Sequence, residues 1–210
     1  MRLGVGAVLE LCYTVELPNS IKVPQTFGKT RYWKHGLAVA ILSRELGSKV
    51  LTDKEELDSC YLAGLVHDIG LLVYDYLVPE QFDQFLATTD FNDPDQPLEA
   101  LEKNFFGISR PELGAAYLKE WWPVSPKIVE ATQAHGGPGL EKDQTPNLAR
   151  LVSTANRIAN KYGLDHPFET GLHQAADENY LETLKMSKQE MDELVDWAQI
   201  GVLAAESVLE

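Results

Sequence analysis

AGLVHDIGLLVYDY, residues 63–76, is apolar almost throughout, yet it sets a histidine beside an aspartate, His67-Asp68, in the middle of the run. It reads as a buried helix. Taking an ionised carboxylate out of water is costly unless a positive group compensates it. The stretch therefore raises the question of its positive partner: a metal ion, an arginine, or none that still matters.

Outward from this stretch the helix signals are dense. Thr52 with Glu55 forms a capping-box pattern and predicts one helix that starts there and carries residues 63–76. Ser109 with Glu112, and Pro111 between them, starts another. Ser125-Pro126 reads as an N-cap with the first helical residue, and Gly136-Gly137-Pro138 ends that helix. Thr145-Pro146 repeats the start signal, Gly163 closes that helix, and Ser187 with Glu190 opens a last one. Apolar residues recur at intervals of three and four. Trp33, Leu37, Ile41 and Leu42 line one helix; Leu148, Leu151, Val152, Ala155, Ile158 and Ala159 line another. Period-two strands with hairpin turns are missing. The pattern predicts an all-α domain of about seven to ten helices.

The chain has 210 residues and a formal net charge of −14. A chain this long buries about 70% of its unfolded surface and folds without disulfides or a structural metal. The acidic balance disfavours nucleic acid, whose non-specific binding depends on Lys and Arg neutralising phosphates. Cys12 and Cys60 lack paired spacing and read as small buried residues of a reducing, cytoplasmic compartment. No apolar run approaches the ~20 residues of a membrane span. The opening MRLGVGAVLELCYTVELP is interrupted by Glu10 and Glu16 and reads as a helix on the body of the protein.

Three polar positions interrupt apolar helix faces in order: His35 in RYWKHGLAVAILSREL, His67-Asp68, and Asn156 in LARLVSTANRIANKYG. Imidazoles and carboxylates converging from three helices of a bundle hold a divalent cation and leave positions open for water and phosphate. An ion so held lowers the pKa of its water and makes it a nucleophile. The order resembles the H…HD…D pattern of the HD superfamily of metal-dependent phosphohydrolases. The flanking blocks YWKHGLAVAILSREL, CYLAGLVHDIGLLV and GISRPELGAAYLKEWWPVSPKIVEATQAHGGP are similar to the HDOD branch (HD-related output domain), with Gly107, Gly114, Ala115, Leu118 and Trp122 matching its third block. The resemblance runs from Arg31 to Gly163. It implies a multi-helix HD-type bundle over residues 31–210. Residues 1–30 would then be a remnant helix and linker of an N-terminal helical lobe, in a shortened member or a piece of a longer protein.

The sequence departs from that pattern at the ligands. The superfamily's final metal-binding Asp falls at Asn156, a neutral amide that offsets none of the ion's charge. The third block's usual His is Arg110, whose guanidinium stays protonated and cannot ligate. The usual His-His is Ala134-His135. Leu71 stands where HD-GYP phosphodiesterases carry Lys, and no GYP follows. His35, His67, Asp68 and Asn156 are thus the candidate metal ligands of a site that either binds Fe, Mn, Zn, Ni or Mg or stands vacant. Arg110, His135 and Arg157 are candidates for its ligand pocket, and no residue is assigned a catalytic role. In the bland reading Asp68 accepts from His35 or Arg157 in a structural hydrogen-bond cluster without an ion. His135 then serves as a helix C-terminal cation, Trp33, Trp121 and Trp122 as core and rim packing, and His166 and His173 as solvated loop residues.

The resemblance implies a bacterial signalling or regulatory module that binds other signalling proteins or a small nucleotide rather than turning over substrate. The alternative is a working phosphohydrolase acting on a nucleotide or cyclic dinucleotide, with Arg110 clamping the phosphate.

Overall fold

The structure, a computed structural model, describes residues 29–91, 97–136, 146–164 and 186–209. The expectations for residues 1–28 (Cys12 among them), for Gly137-Pro138 and Thr145, and for His166 and His173 lie outside these residues.

Among the described residues there are nine helices and no strand: α1 Lys29–Val50, α2 Lys54–Val66, α3 Ile69–Leu77, α4 Pro79–Thr88, α5 Leu98–Phe106, α6 Arg110–Trp121, α7 Pro126–Ala134, α8 Leu148–Lys161 and α9 Lys188–Leu209. The all-α expectation is met. No single described helix is long and apolar enough to cross a membrane.

The decisive stretch is not one helix. It breaks at His67-Asp68 into α2 and α3, which bend by 42° at the break. Chemistry internal to the stretch explains the break. The His67 ring turns back and donates Nδ1–H to the Gly64 carbonyl at 2.7 Å, the acceptor that a continuing helix would offer to the Asp68 N–H. Asp68 then serves as the N-cap residue of α3. The predicted start is also displaced by one residue. Asp53, not Thr52, is the N-cap of α2, and its carboxylate accepts from the N–H groups of Glu55 and Glu56. Likewise α8 starts from Asn147, whose side chain accepts the Arg150 N–H, rather than from Thr145-Pro146. The Ser109–Glu112 and Ser187–Glu190 signals are both realised: each glutamate reaches back to the serine N–H, at 3.0 and 2.8 Å.

Helix α8 is the centre of the bundle. It is buried on nearly every side and packs against α1, α2 and α7, while α1 also packs against α2 and α9. The α1–α2 contact is close because small residues meet there. A Cβ placed on Gly64 would stand 2.7 Å from the Ala40 Cα and the Val39 carbonyl oxygen. That close approach sets the histidine of α1 beside the histidine ending α2. Aromatic rings lock α3, α4 and α5 together: Tyr74 stacks on Phe106 at 4.2 Å between centroids, and Phe85 lies 5.0 Å from Phe106. The Tyr74 hydroxyl donates to the Ile108 carbonyl at 2.6 Å and ties α3 to the α5–α6 turn. That turn depends on Gly107, whose φ of 80° lies in the left-handed region.

Candidate functional site: a buried histidine–aspartate–arginine cluster

Three histidines meet inside the bundle, and each is oriented by a backbone carbonyl. His35 Nδ1 lies 2.7 Å from the Leu164 oxygen, His67 Nδ1 2.7 Å from Gly64 and His135 Nδ1 2.7 Å from Thr132. A carbonyl can only accept, so Nδ1 carries the proton in all three rings and Nε2 is the nitrogen left to other partners. The His35–His67 and His67–His135 ring centroids are 5.3 and 4.9 Å apart. Carbonyl-oriented imidazoles are the usual outer support of metal-ligating histidines.

Local structure makes each orientation. Helix α8 ends in a Schellman motif on Gly163, φ 76°, with the Leu164 N–H bonded to Ala159 at 2.9 Å and the Gly163 N–H to Asn160 at 3.4 Å. The Leu164 carbonyl is thereby presented to His35 on α1. His67 and His135 use one device in common: each is the C-cap of its helix and takes the carbonyl three residues back. The expected helix-terminal position of His135 is met, and the ring also reaches the cluster.

Asp68 is the hub. His135 Nε2 and Arg110 Nε lie 3.0 and 3.2 Å from its Oδ1, and His67 Nε2 lies 3.1 Å from its Oδ2. All four side chains are 1–3% exposed. Burial works against a charge on His135, but the Asp68 carboxylate outweighs it and raises its pKa. On His67 burial prevails over the opposing pull of the Asp68 carboxylate and the pKa falls. His35, His67 and Asp68 offer ligand atoms that all lie within 4.8 Å of one another, and this cluster could hold a divalent metal.

Arg110 is the first residue of α6 and its backbone rests on Gly70, the second residue of α3. A Cβ on Gly70 would collide with the Arg110 carbonyl oxygen and stand 2.8 Å from its carbon. Glu102 of α5, fully buried, accepts the Arg110 N–H at 2.9 Å and lies 3.8 Å from its Nε. Burial, partly opposed by Arg110, pushes the Glu102 pKa up to about 7. Tyr32 is also buried here, and its hydroxyl pKa is raised by burial and by Asp68.

Of the sequence candidates, the structure therefore brings together His35, His67, Asp68, Arg110 and His135. Asn156 is buried on α8, where its carboxamide oxygen accepts from Asn160 Nδ2 at 3.4 Å. Arg157 is half-buried on the same helix. Sequence reasoning missed Glu102. Its signal is positional: it lies four residues after Leu98 and four before Phe106, on the apolar stripe of α5. The tryptophans divide between core and surface. Trp33 is buried, whereas Trp121 is 72% exposed and helps line a groove of about 480 Å³ with Leu72, Tyr76, Leu77, Tyr117 and Trp122.

No curated protein matches the chain. Among solved structures, similar folds occur in a candidate signal transduction protein from Marinobacter aquaeolei VT8 (21% identity, TM-score 0.75, 99% of this chain and 46% of that one). A candidate phosphohydrolase from Shewanella amazonensis SB2B is also similar (18%, 0.70, 100% and 74%). So is an HDOD domain protein with unknown function from Geobacter sulfurreducens (18%, 0.76, 99% and 72%). The chain thus spans just under half the length of the Marinobacter protein. The HDOD domain family model matches residues 1–138, which include His35, the His67-Asp68 break, Arg110 and His135, and the chain belongs to the HDOD domain family.

Proposed function

We propose that this protein is a non-catalytic bacterial signalling module, cytoplasmic, whose HD pocket is vestigial as a hydrolase centre and which acts by binding another signalling protein or a small nucleotide. The observation that carries this reading is the placement of Arg110 Nε 3.2 Å from Asp68 Oδ1. In a hydrolase the Asp68 carboxylate would serve a metal; here it faces the Arg110 guanidinium and the His135 ring. A divalent ion would enter a buried site whose Asp68 carboxylate already faces Arg110. Helices α3 and α6 carry Asp68 and Arg110 at one end and line the aromatic groove further along, which supports a pocket whose state is read at a surface. Family membership supports the signalling role.

The second reading, a metal-dependent phosphohydrolase acting on a nucleotide or cyclic dinucleotide, is favoured by the three carbonyl-oriented histidines and the 4.8 Å ligand cluster. His35, His67 and Asp68, with Asn156, would hold the ion. Its chemistry would be activation of a water toward a phosphodiester.

The deciding experiment measures metal content by elemental mass spectrometry and hydrolysis of cyclic di-GMP and bis-p-nitrophenyl phosphate, with Mn²⁺ or Fe²⁺ supplied, on wild type and His67→Ala. The regulatory reading expects metal well below one equivalent and no turnover above the variant. Stoichiometric metal with turnover, both lost in His67→Ala, establishes the hydrolase instead.

A further inference from the structure

We propose that Arg110 is a built-in occupant of the cation position. Its guanidinium, held against Asp68, excludes divalent metal from the His35–His67–Asp68 cluster, so that the site takes either Arg110 or a metal, not both. This rests on the regulatory reading of the pocket and deepens it: metal loading would require Arg110 to leave Asp68, and with it a displacement at the start of α6.

Four observations carry the inference. Arg110 and the metal cluster share one carboxylate: Asp68 belongs to the ligand set and is also the ion-pair partner of Arg110. A guanidinium donates but cannot ligate, and it keeps its charge at any working pH, so beside an ion it acts only as a repelling charge. In a buried site that repulsion is screened far less than at a surface.

The backbone of Arg110 is also fixed from three sides. Gly70 lies directly beneath its carbonyl, Glu102 accepts its N–H at 2.9 Å, and the Ser109–Glu112 cap closes the preceding residue. An arginine so anchored stands over Asp68 by construction. Finally, Asp68 at the head of α3 is already engaged from outside the ligand set, by Arg110 at the head of α6 and His135 at the end of α7, so a metal on His35, His67 and Asp68 would compete with both.

The test is Co²⁺ binding to the full chain stripped of metal, followed by visible d–d absorption, in wild type, Arg110→Met, Arg110→Met/Glu102→Gln and Arg110→Met/His67→Ala. The expected result is Co²⁺ affinity at least about tenfold higher in Arg110→Met than in wild type, and loss of that gain in the variant that also lacks His67. The Glu102→Gln background removes the second carboxylate that Arg110 leaves uncompensated, and so serves where the single variant does not fold. Equal Co²⁺ affinities in wild type and in either folded Arg110→Met background overturn the proposal.

A wild-type measurement needs no variant. With Zn²⁺ added, the ¹⁵Nε resonance of Arg110 is followed together with the His67 ring. No Zn²⁺ at His67, or binding that shifts Arg110 Nε, supports the exclusion; Zn²⁺ bound at His67 with Arg110 Nε unmoved overturns it. Turnover of cyclic di-GMP by the wild type would defeat the functional reading, whereas equal affinities defeat this inference.

Discussion

The Leu164 carbonyl accepts the His35 Nδ1–H at 2.7 Å across 129 residues of chain. A helix terminus thus orients a ring on another helix, and the terminus depends on Gly163 at φ 76°. Gly163→Ala places a Cβ in the left-handed region and is expected to cost about 1 kcal/mol of stability. The His35 Nδ1–H resonance in long-range ¹H–¹⁵N spectra should shift while that of His135 stays in place. An unchanged His35 spectrum in a destabilised variant would show that the Schellman turn does not orient the ring.

Gly70 permits α6 to lie on α3. Gly70→Ala forces the Arg110 backbone outward, since the atoms met are main chain and cannot rotate away. A loss of about 2–4 kcal/mol in urea unfolding is expected. Gly114→Ala, whose nearest contacts are at 3.0–3.3 Å, should cost clearly less. The reverse order would mean that the Gly70 contact does not govern this packing.

Asp68 and Arg110 should behave as a coupled pair. Asp68→Asn leaves a buried guanidinium without its carboxylate, and Arg110→Met leaves the carboxylate without its guanidinium. Each is expected to destabilise by about 3–5 kcal/mol. The double variant should be less destabilised than the sum of the two by about 1–3 kcal/mol. Additive losses would indicate two independent defects.

Glu102 should make stability fall with rising pH. Its pKa is pushed up to about 7 in the fold from an ordinary 4.5, so the folded state binds its proton more tightly. The associated stability is fully present below 4.5 and is lost as pH rises through 7. The raised His135 acts in the same sense and the lowered His67 in the opposite one, so the Glu102 contribution is read by difference. Between pH 5 and 7.5 the unfolding free energy of wild type should drop relative to Glu102→Gln, by up to roughly 3 kcal/mol. Parallel curves for the two proteins would place the Glu102 pKa near its ordinary value.

Much of the helical framework was legible in local signals. Ser109–Glu112 and Ser187–Glu190 are short-range patterns, and short-range patterns survive folding because their partners are three residues away. Thr52 misled because Asp53, its neighbour and also a strong capping residue, takes the Glu55 N–H that Thr52 would have capped. The helix break at His67-Asp68 left no hydropathy signal. It comes from one imidazole turned onto Gly64, in a run whose apolar character continues on both sides.

The sequence by itself determined which residues are candidates. His35 and His67-Asp68 are polar groups set in apolar runs, a local property of the sequence, whereas Arg110 and His135 become candidates through the resemblance to the HDOD third block. Their mutual geometry was decided only by the tertiary structure. Two residues on different helices meet because glycines at 64 and 70 let backbones approach, and because carbonyls at Gly64, Thr132 and Leu164 aim the rings. That Asp68 faces Arg110, with Glu102 holding the arginine in place, is a fact of packing between α3, α5 and α6. No spacing along the chain encodes it, since the distance between two helices depends on every side chain that lies between them.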